Sequence, residues 1–343
     1  MAAKVTLSDV AKVAGVSLST ASKALSGTDR VSEETRERVH EVARRLDFQP
    51  NALAQSFARG RSQTIGILTQ NAIGTWSAPI FVGAASYLGR HEQATLFYDA
   101  AFDVELLEAS IRRLQARRID GLLVIGDGPH YTLRSVTRQF SVPVAYAFTS
   151  TDDGDDATYV PDSEMAGRMA TRHLLDIGRT KIAHLTAADD VAATERERGM
   201  AQTLTDAGLA PVAVHTRPDW SEETGRITAT QLLESGVDFD AIFCGNDHVA
   251  RGAEKVLLDH GRRVPDDVAL VGVDNWEGTV IGQGTRHLTT VDPLLSRLGA
   301  TAAAHVTGST TASGTQRQPC VLVIGETTSG PGADPVAARP ATP

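Results

Sequence analysis

From Thr6 to Gly27 the chain reads TLSDVAKVAGVSLSTASKALSG, a stretch that leaves its amino-terminal region little freedom in how to fold. Thr6 and Asp9 have the Thr-x-x-Asp spacing of a capping box, which starts a helix by satisfying its first amides reciprocally. Leu7, Val10, Ala11 and Ala14 then recur at helical spacing and define one apolar stripe. Gly15 stands where the chain must take a positive φ to stop that helix and turn, which glycine does without steric cost. Ser17 is placed to cap a second helix. Ala21, Ala24 and Leu25 face inward in it, leaving Leu18, Ser19, Ser22 and Lys23 outward. Ser32 caps a predicted third helix with core positions Val39, Val42, Ala43 and Leu46. An ordinary helical bundle needs the apolar stripes but not a tight glycine turn followed by a short helix with a polar, cationic outer face. That combination predicts a helix-turn-helix, a motif with a defined docking geometry in the DNA major groove.

Charge agrees in direction. Through Arg61 there are ten Lys and Arg against seven Asp and Glu, whereas the remainder holds 23 against 35 and the whole chain carries −9. A modestly basic end on an acidic body confines nucleic acid to that end. At 343 residues and 41% hydrophobic content, there is room for two or three domains with real cores. No apolar run reaches the roughly eighteen residues of a membrane span. MAAKVTLSDV lacks the apolar segment of a secretory signal, so a cytoplasmic location is the expectation. Cys244 and Cys320 lie far apart in strand-like runs and read as buried thiols rather than a disulfide or metal site. With no paired CxxC, HExxH or histidine cluster, neither metal nor cofactor is expected.

From Gln63 onward short β-branched runs alternate with helical stretches. Strands are predicted at 64–69, 94–99, 119–125, 143–148, 181–186, 240–245, 268–274 and 319–324. Helices are predicted at 103–117, 163–177, 193–208, 222–235, 246–260 and 293–307. Such alternation implies parallel sheets with helices on both faces, and the length suits two sheets with a cleft between them. Ligands of open α/β sheets collect beyond the carboxyl ends of the strands, so the polar tracts there are the place to look for a site. Catalysis is not expected. TIGILTQNAIGT breaks the GxGxxG spacing, GxxxxGK[ST] and GxSxG are absent, and IGQGT at 281–285 follows no clear strand. His184, His248 and His287 are isolated, so no nucleophile–base–orienter set can be assembled.

DVAKVAGVS, VSEETRERV and QPNALAQS, in one gapless stretch, resemble the headpiece of the lactose-repressor (LacI/GalR) family of bacterial transcription factors. Position by position, the resemblance implies base contacts from Leu18, Ser19 and Lys23. It places Thr6, Ser17, Thr20, Ser22, Ser32, Thr35 and Asn51 mainly on phosphates. It also implies that residues 51–59 form a hinge helix on operator DNA, with Ala54 and Phe57 entering the minor groove. Phe57 stands where the family usually has a leucine wedge; phenylalanine also intercalates, with a different kink and preferred central step. Phe48 replaces a usual tyrosine and loses its hydroxyl contact to the DNA backbone.

VPDSEMAGRMATRHLLDIGRTKIAHL, ERERGMAQTLTDAG, AIFCGNDHVARGA and VALVGVDN resemble the sensor domain that this family shares with periplasmic sugar-binding proteins. The implied fold is a small all-α helix-turn-helix headpiece (1–50) and a hinge (51–61), followed by an α/β core (62–330). The core would hold two Rossmann-like parallel-sheet subdomains of the periplasmic-binding-protein type, 62–160 with 291–318 and 161–290 with 319–330. The Pro- and Ala-rich tail, 331–343, is expected to be disordered and lacks the heptads of a tetramerisation helix.

Four core positions map onto effector contacts. Arg196 would offer a planar donor fork to ligand hydroxyls or a carboxylate. Asn246 opens a helix at a strand end, Asp274 ends a buried strand where it would accept vicinal hydroxyls, and Trp220 would supply a flat apolar face. Each has a second reading: a surface ion pair within TERERG for Arg196, helix capping for Asn246 and Asp247, turn chemistry for Asp274-Asn275, and a core aromatic for Trp220. Asp162, near the expected subdomain crossover, and Trp76 and Trp276, as further stacking faces, complete the candidate set. The implied partners are pseudo-palindromic double-stranded operator DNA, a mono- or oligosaccharide effector and a second copy of the chain. The implied protein is a ligand-controlled repressor that is neither an enzyme nor membrane-bound. The alternative is a DNA-binding regulator whose core answers to a non-sugar ligand or a partner protein.

Overall fold

The computed structural model describes residues 5–25, 31–48, 61–128, 131–282 and 286–330. The expected hinge contacts Asn51, Ala54 and Phe57, most of the IGQGT tract and the tail lie outside the described residues. The chain divides into two compact units at Gln63 and Thr64.

The amino-terminal unit holds α1 (Leu7–Ala14), α2 (Leu18–Leu25) and α3 (Glu33–Arg45). Its capping box is formed: the Asp9 amide donates to Thr6 Oγ1 at 3.3 Å and the Thr6 amide to Asp9 Oδ2 at 2.9 Å. Gly15 takes φ 68°, and the Val16 amide closes the turn on Ala11 O at 3.0 Å. Ser17 Oγ accepts from the Thr20 amide at 3.1 Å. Val10, Ala21, Ala24 and Val39 are fully buried, and the two alanines let the three helices approach closely. One expectation is corrected. Ser32 sits at the start of α3 but its hydroxyl caps no amide; it donates to Thr35 Oγ1 at 2.9 Å instead.

The larger unit contains two six-stranded sheets. The first is ordered β13 (Thr315–Gln318), β7 (Ala157–Pro161), β5 (Val144–Ala147), β3 (Gly121–Ile125), β1 (Thr64–Thr69), β2 (Ala94–Asp99), all parallel. The second is ordered β14 (Val321–Val323), β12 (Thr289–Asp292), β11 (Ala269–Val273), β10 (Ala241–Cys244), β8 (Ile182–Ala187), β9 (Ala213–Arg217). Only β14 runs antiparallel there. A short parallel pair, β4 (Thr132–Leu133) and β6 (Ser150–Thr151), flanks the first sheet's loops.

Alternation along the strands fills a core on each face. Ile65, Ile67, Leu123 and Ile125 pack under α4 (Ser77–Arg90) and α10 (Leu295–Val306), while Leu68, Leu122 and Val124 face α5 (Val104–Ala116). In the second lobe Leu185, Ile242 and Cys244 face α8 (Glu222–Glu234) and α9 (Asp247–Asp259). Ile182 and Phe243 face α6 (Ser163–Asp176) and α7 (Val191–Asp206). A short α11 (Glu326–Ser329) follows β14. Both cysteines are buried free thiols, and burial pushes Cys320 up to about 12.

The chain crosses between lobes after β7, after β12 and between β13 and β14. On the second lobe α6 and α7 meet through Gly167 and Gly199. A Cβ on either would lie 2.0 and 2.1 Å from the carbonyl oxygens of Arg196 and Glu164, so only glycine permits this approach. That contact fixes the backbone from which Arg196 projects. Among the described residues no helix is long and apolar enough to cross a membrane.

Candidate functional site

Two surfaces carry the candidate residues. On α2, Leu18 is 54% exposed and Ser19, Ser22 and Lys23 are exposed beside it, while Ala21 and Ala24 on the opposite side are fully buried. Packing therefore fixes which face of this short helix is presented. The Ser17 and Thr20 hydroxyls pair at 2.8 Å. Thr6 differs from the other expected phosphate ligands, because its amide and its hydroxyl both donate to the Asp9 carboxylate, at 2.9 and 2.7 Å. A threonine hydroxyl has a single proton, so the capping box takes both donors that Thr6 would offer a phosphate.

The second surface is a cleft of about 140 Å³ between the lobes, lined mostly by residues of the loops that follow strand carboxyl ends, with Arg196 reaching in from α7. The first lobe supplies Trp76, Asp127 and Phe148; the second supplies Asp190, Arg196, Trp220, Asn246, His248 and Asp274. Arg196 is 8% exposed, which overturns its reading as a surface ion pair. Its Nη1 donates to Gly245 O at 2.6 Å, its Nη2 to Asp274 Oδ1 at 3.4 Å, and its guanidinium carbon lies 5.3 Å from the Trp220 ring centre. Its Nε is buried without a hydrogen-bond partner, which leaves a donor uncompensated beside the cleft. The Trp220 indole donates to Asp190 Oδ2 at 3.3 Å. Asn246 fits both of its readings: its Oδ1 caps α9 through the Val249 amide at 2.8 Å, and it lines the cleft with its Nδ2 on Trp220 O at 3.2 Å.

Asp274 sits at φ 107°, outside the region open to most side chains, at a cost of roughly 1–3 kcal/mol. The surroundings over-determine it. Its amide donates to Val291 O at 2.9 Å, Asn275 bonds Thr290 and Asp292, and the Trp276 amide donates to Asp247 Oδ2 at 2.7 Å. Burial raises the Asp274 carboxyl to about 6, against the pull of Arg196 and with the push of Asp190 and Asp292. Burial likewise pushes Asp247, behind it, well above the ordinary carboxylate range.

Arg196, Trp220, Asn246, Asp274 and Trp76 thus come together. Asp162 and Trp276 do not line the cleft. Asp162 caps α6 through the Met165 amide at 2.8 Å, and its own amide and carbonyl tie to Gln318 and Cys320 at the crossover. The Trp276 ring is taken up by the Arg251 guanidinium, 5.1 Å away, and by the edge of His248. Sequence reasoning missed Asp127, Phe148, Asp190 and His248. Asp127, Asp190 and His248 lie two to four residues beyond predicted strands and Phe148 ends one, but no local pattern marks them as site residues. His184 is a core residue, its ring 2.8 Å from Phe243 O and its pKa lowered to about 4 by burial. Among the described residues no His, Cys, Asp or Glu group could hold a metal.

Comparison with known proteins matches both units. Residues 6–51 match the model of bacterial regulatory proteins, lacI family, and residues 62–324 that of periplasmic binding proteins and sugar binding domain of LacI family. The HTH-type transcriptional repressor PurR of Aliivibrio fischeri (strain MJ11) is 30% identical over 307 residues, covering 87% of this chain and 89% of that protein. Among solved structures, the Lac repressor dimer bound to operator and the anti-inducer ONPF aligns with a TM-score of 0.69 at 27% identity. That alignment covers 95% of this chain and 99% of the other. The complex of the transcriptional regulator CelR with cellobiose aligns at 0.60 and 26% identity, covering 94% and 100%.

Proposed function

The chain belongs to the LacI family of bacterial regulatory proteins, as a DNA-binding repressor with an effector-binding core, and we propose that its effector is a sugar whose binding between the lobes releases the operator. One observation carries this reading: the cleft sets aromatic faces (Trp76, Phe148, Trp220) against carboxylate, carboxamide and guanidinium groups (Asp127, Asp190, Asp274, Asn246, Arg196). Aromatic faces take the C–H side of a pyranose, while carboxylates accept from its hydroxyls. A cavity needs about 10–15 Å³ to hold one water, so 140 Å³ suits one sugar ring of about a dozen heavy atoms.

In this reading two copies present Leu18, Ser19 and Lys23 of each α2 to the two half-sites of a near-palindrome. A sugar that favours one arrangement of the lobes shifts the population, and operator affinity falls by the same coupling free energy. The transcriptional regulator CelR, which this chain resembles in structure, is seen in complex with cellobiose. The three aromatic faces also admit a planar heterocycle, which is the second reading.

The test is fluorescence anisotropy of the full-length protein on a duplex selected from a random library, titrated with mono- and disaccharides and with nucleobases. Release of the duplex by a sugar is the expected outcome. A sugar that raises the melting temperature yet leaves operator affinity unchanged would break the proposed coupling, and release by a nucleobase alone would favour the second reading.

A further inference from the structure

Charge around the cleft is unbalanced. Asp127 approaches from the first lobe and Asp190 and Asp274 from the second, whereas Arg196 is the lone arginine or lysine among the described lining residues. The two terminal nitrogens of Arg196 are already engaged by Asp274 and by Gly245 O, and its unpaired Nε is buried away from the solvent. His248 adds no charge, because burial lowers its pKa. We infer that the cleft selects its effector by charge, taking an uncharged or protonated-amine polyol and turning away ligands that carry a phosphate or carboxylate. This rests on the reading of the cleft as the effector site, and it narrows the expectation that Arg196 would receive a ligand carboxylate.

Helix amino-termini at the cleft are the remaining source of positive field. Three of them are already capped. Asp162 takes the Met165 amide at 2.8 Å, Asp190 the Ala193 amide at 3.0 Å and Asn246 the Val249 amide at 2.8 Å. α4 and α10, whose starts at Trp76 and Leu295 also line the cleft, have no side-chain cap, but each begins beside a carboxylate: Ser77 Oγ donates to Asp127 Oδ1 at 3.4 Å and the Leu294 amide to Asp292 Oδ1 at 2.7 Å. Carboxylates at these helix starts offset the positive field that binds phosphate in other α/β proteins. An added anion about 5 Å from one of these carboxylates is disfavoured by roughly one to two orders of magnitude at the effective dielectric of a partly open site. Hydroxyls instead donate to those carboxylates, and a protonated amine gains from them and from the indole and phenyl faces.

The test uses the full-length protein at pH 8, above the Asp274 titration. Calorimetry compares congeners that differ in one substituent: glucose, glucosamine, glucose 6-phosphate and glucuronate; ribose and ribose 5-phosphate; adenosine and adenosine monophosphate. Wherever a series binds, the neutral or amino member should bind at least about tenfold more tightly than its anionic partner. Asp190→Asn and Asp127→Asn keep the side-chain shape and should each narrow that gap by about tenfold without lowering the ligand-free melting temperature. An anionic member that binds as tightly as its neutral partner overturns charge selection while leaving the effector reading in place. If no compound in any series binds a protein that still holds its operator, the effector reading falls and charge selection with it.

Discussion

The proposed base-reading face comes from the eight consecutive residues of α2, whereas the cleft draws on side chains from Trp76 to Leu295. The two differ in what holds them. The α2 face is solvated, unstrained and displayed by two buried alanines behind it. The cleft contains a buried guanidinium, a carboxylate shifted by burial and a backbone held at φ 107°. Recognition on α2 is therefore separable from folding, while recognition by the Arg196–Asp274 pair in the cleft is not. Substitutions at the buried Arg196–Asp274 pair should change stability and ligand response together; on α2 they should change DNA binding alone.

Arg196→Ala tests the inseparable side most severely. It leaves Asp274 without its cation in a site only 16% exposed, and removing one partner of such a pair costs roughly 2–5 kcal/mol. Chemical unfolding of the core should register that loss, and effector response should vanish with it. A variant as stable as the parent would show that the cleft is no more strained than α2.

Acid sharpens the same contrast. The folded protein binds the Asp274 proton more tightly than the unfolded chain, so this group's stabilising contribution is complete below about pH 4 and is lost as pH rises through about 6. A shift from 3.8 to about 6 corresponds to at most about 3 kcal/mol. Asp274→Asn should therefore gain stability relative to the parent as pH goes from 4 to 7, in parallel urea titrations. A difference that stays flat across that range removes the buried-carboxylate account. No such pH slope is expected from substitutions on α2, whose outer face carries no carboxylate.

The same division explains what the sequence disclosed. Every headpiece signal is local: Thr6 with Asp9, Gly15 at the turn, Ala21 and Ala24 one helical turn apart. In the core, fully buried strands such as 64–69 announce themselves by β-branched runs. β9 (AVHTR) and β13 (TQRQ) are edge strands with exposed polar positions, so no apolar run marks them. β12 (TTVD) is buried but rich in threonine. α4 is not among the predicted helices, and it contains Pro79 and Gly83. Pro79 lies in the first turn, where its missing amide costs nothing, and Gly83 lies against the Ser296 carbonyl of α10. At the site, Arg196, Trp220, Asn246 and Asp274 stood out through the family resemblance. Asp127 (GDGPH) and Asp190 (AADDVA) look like turn residues, and only the three-dimensional convergence of strand ends separates them from true turns.

Lys23→Ala probes the separable side and carries the smallest effect. Lys23 is the long cationic side chain on the outer face of α2, and a single base-reading contact is worth about 1–3 kcal/mol of discrimination. Removing it should lower affinity for the selected operator by about tenfold or more while non-specific duplex binding falls far less. An exposed substitution of this kind normally moves stability by less than about 0.5 kcal/mol, so the melting temperature and the effector affinity should stay where they were. Anisotropy on operator and scrambled duplexes, run beside a melting curve, separates the outcomes. Equal losses on both duplexes would make Lys23 a phosphate contact and shift base readout onto Leu18 and Ser19. A drop in melting temperature would mean that the α2 face, like the Arg196–Asp274 pair, cannot be altered without altering the fold.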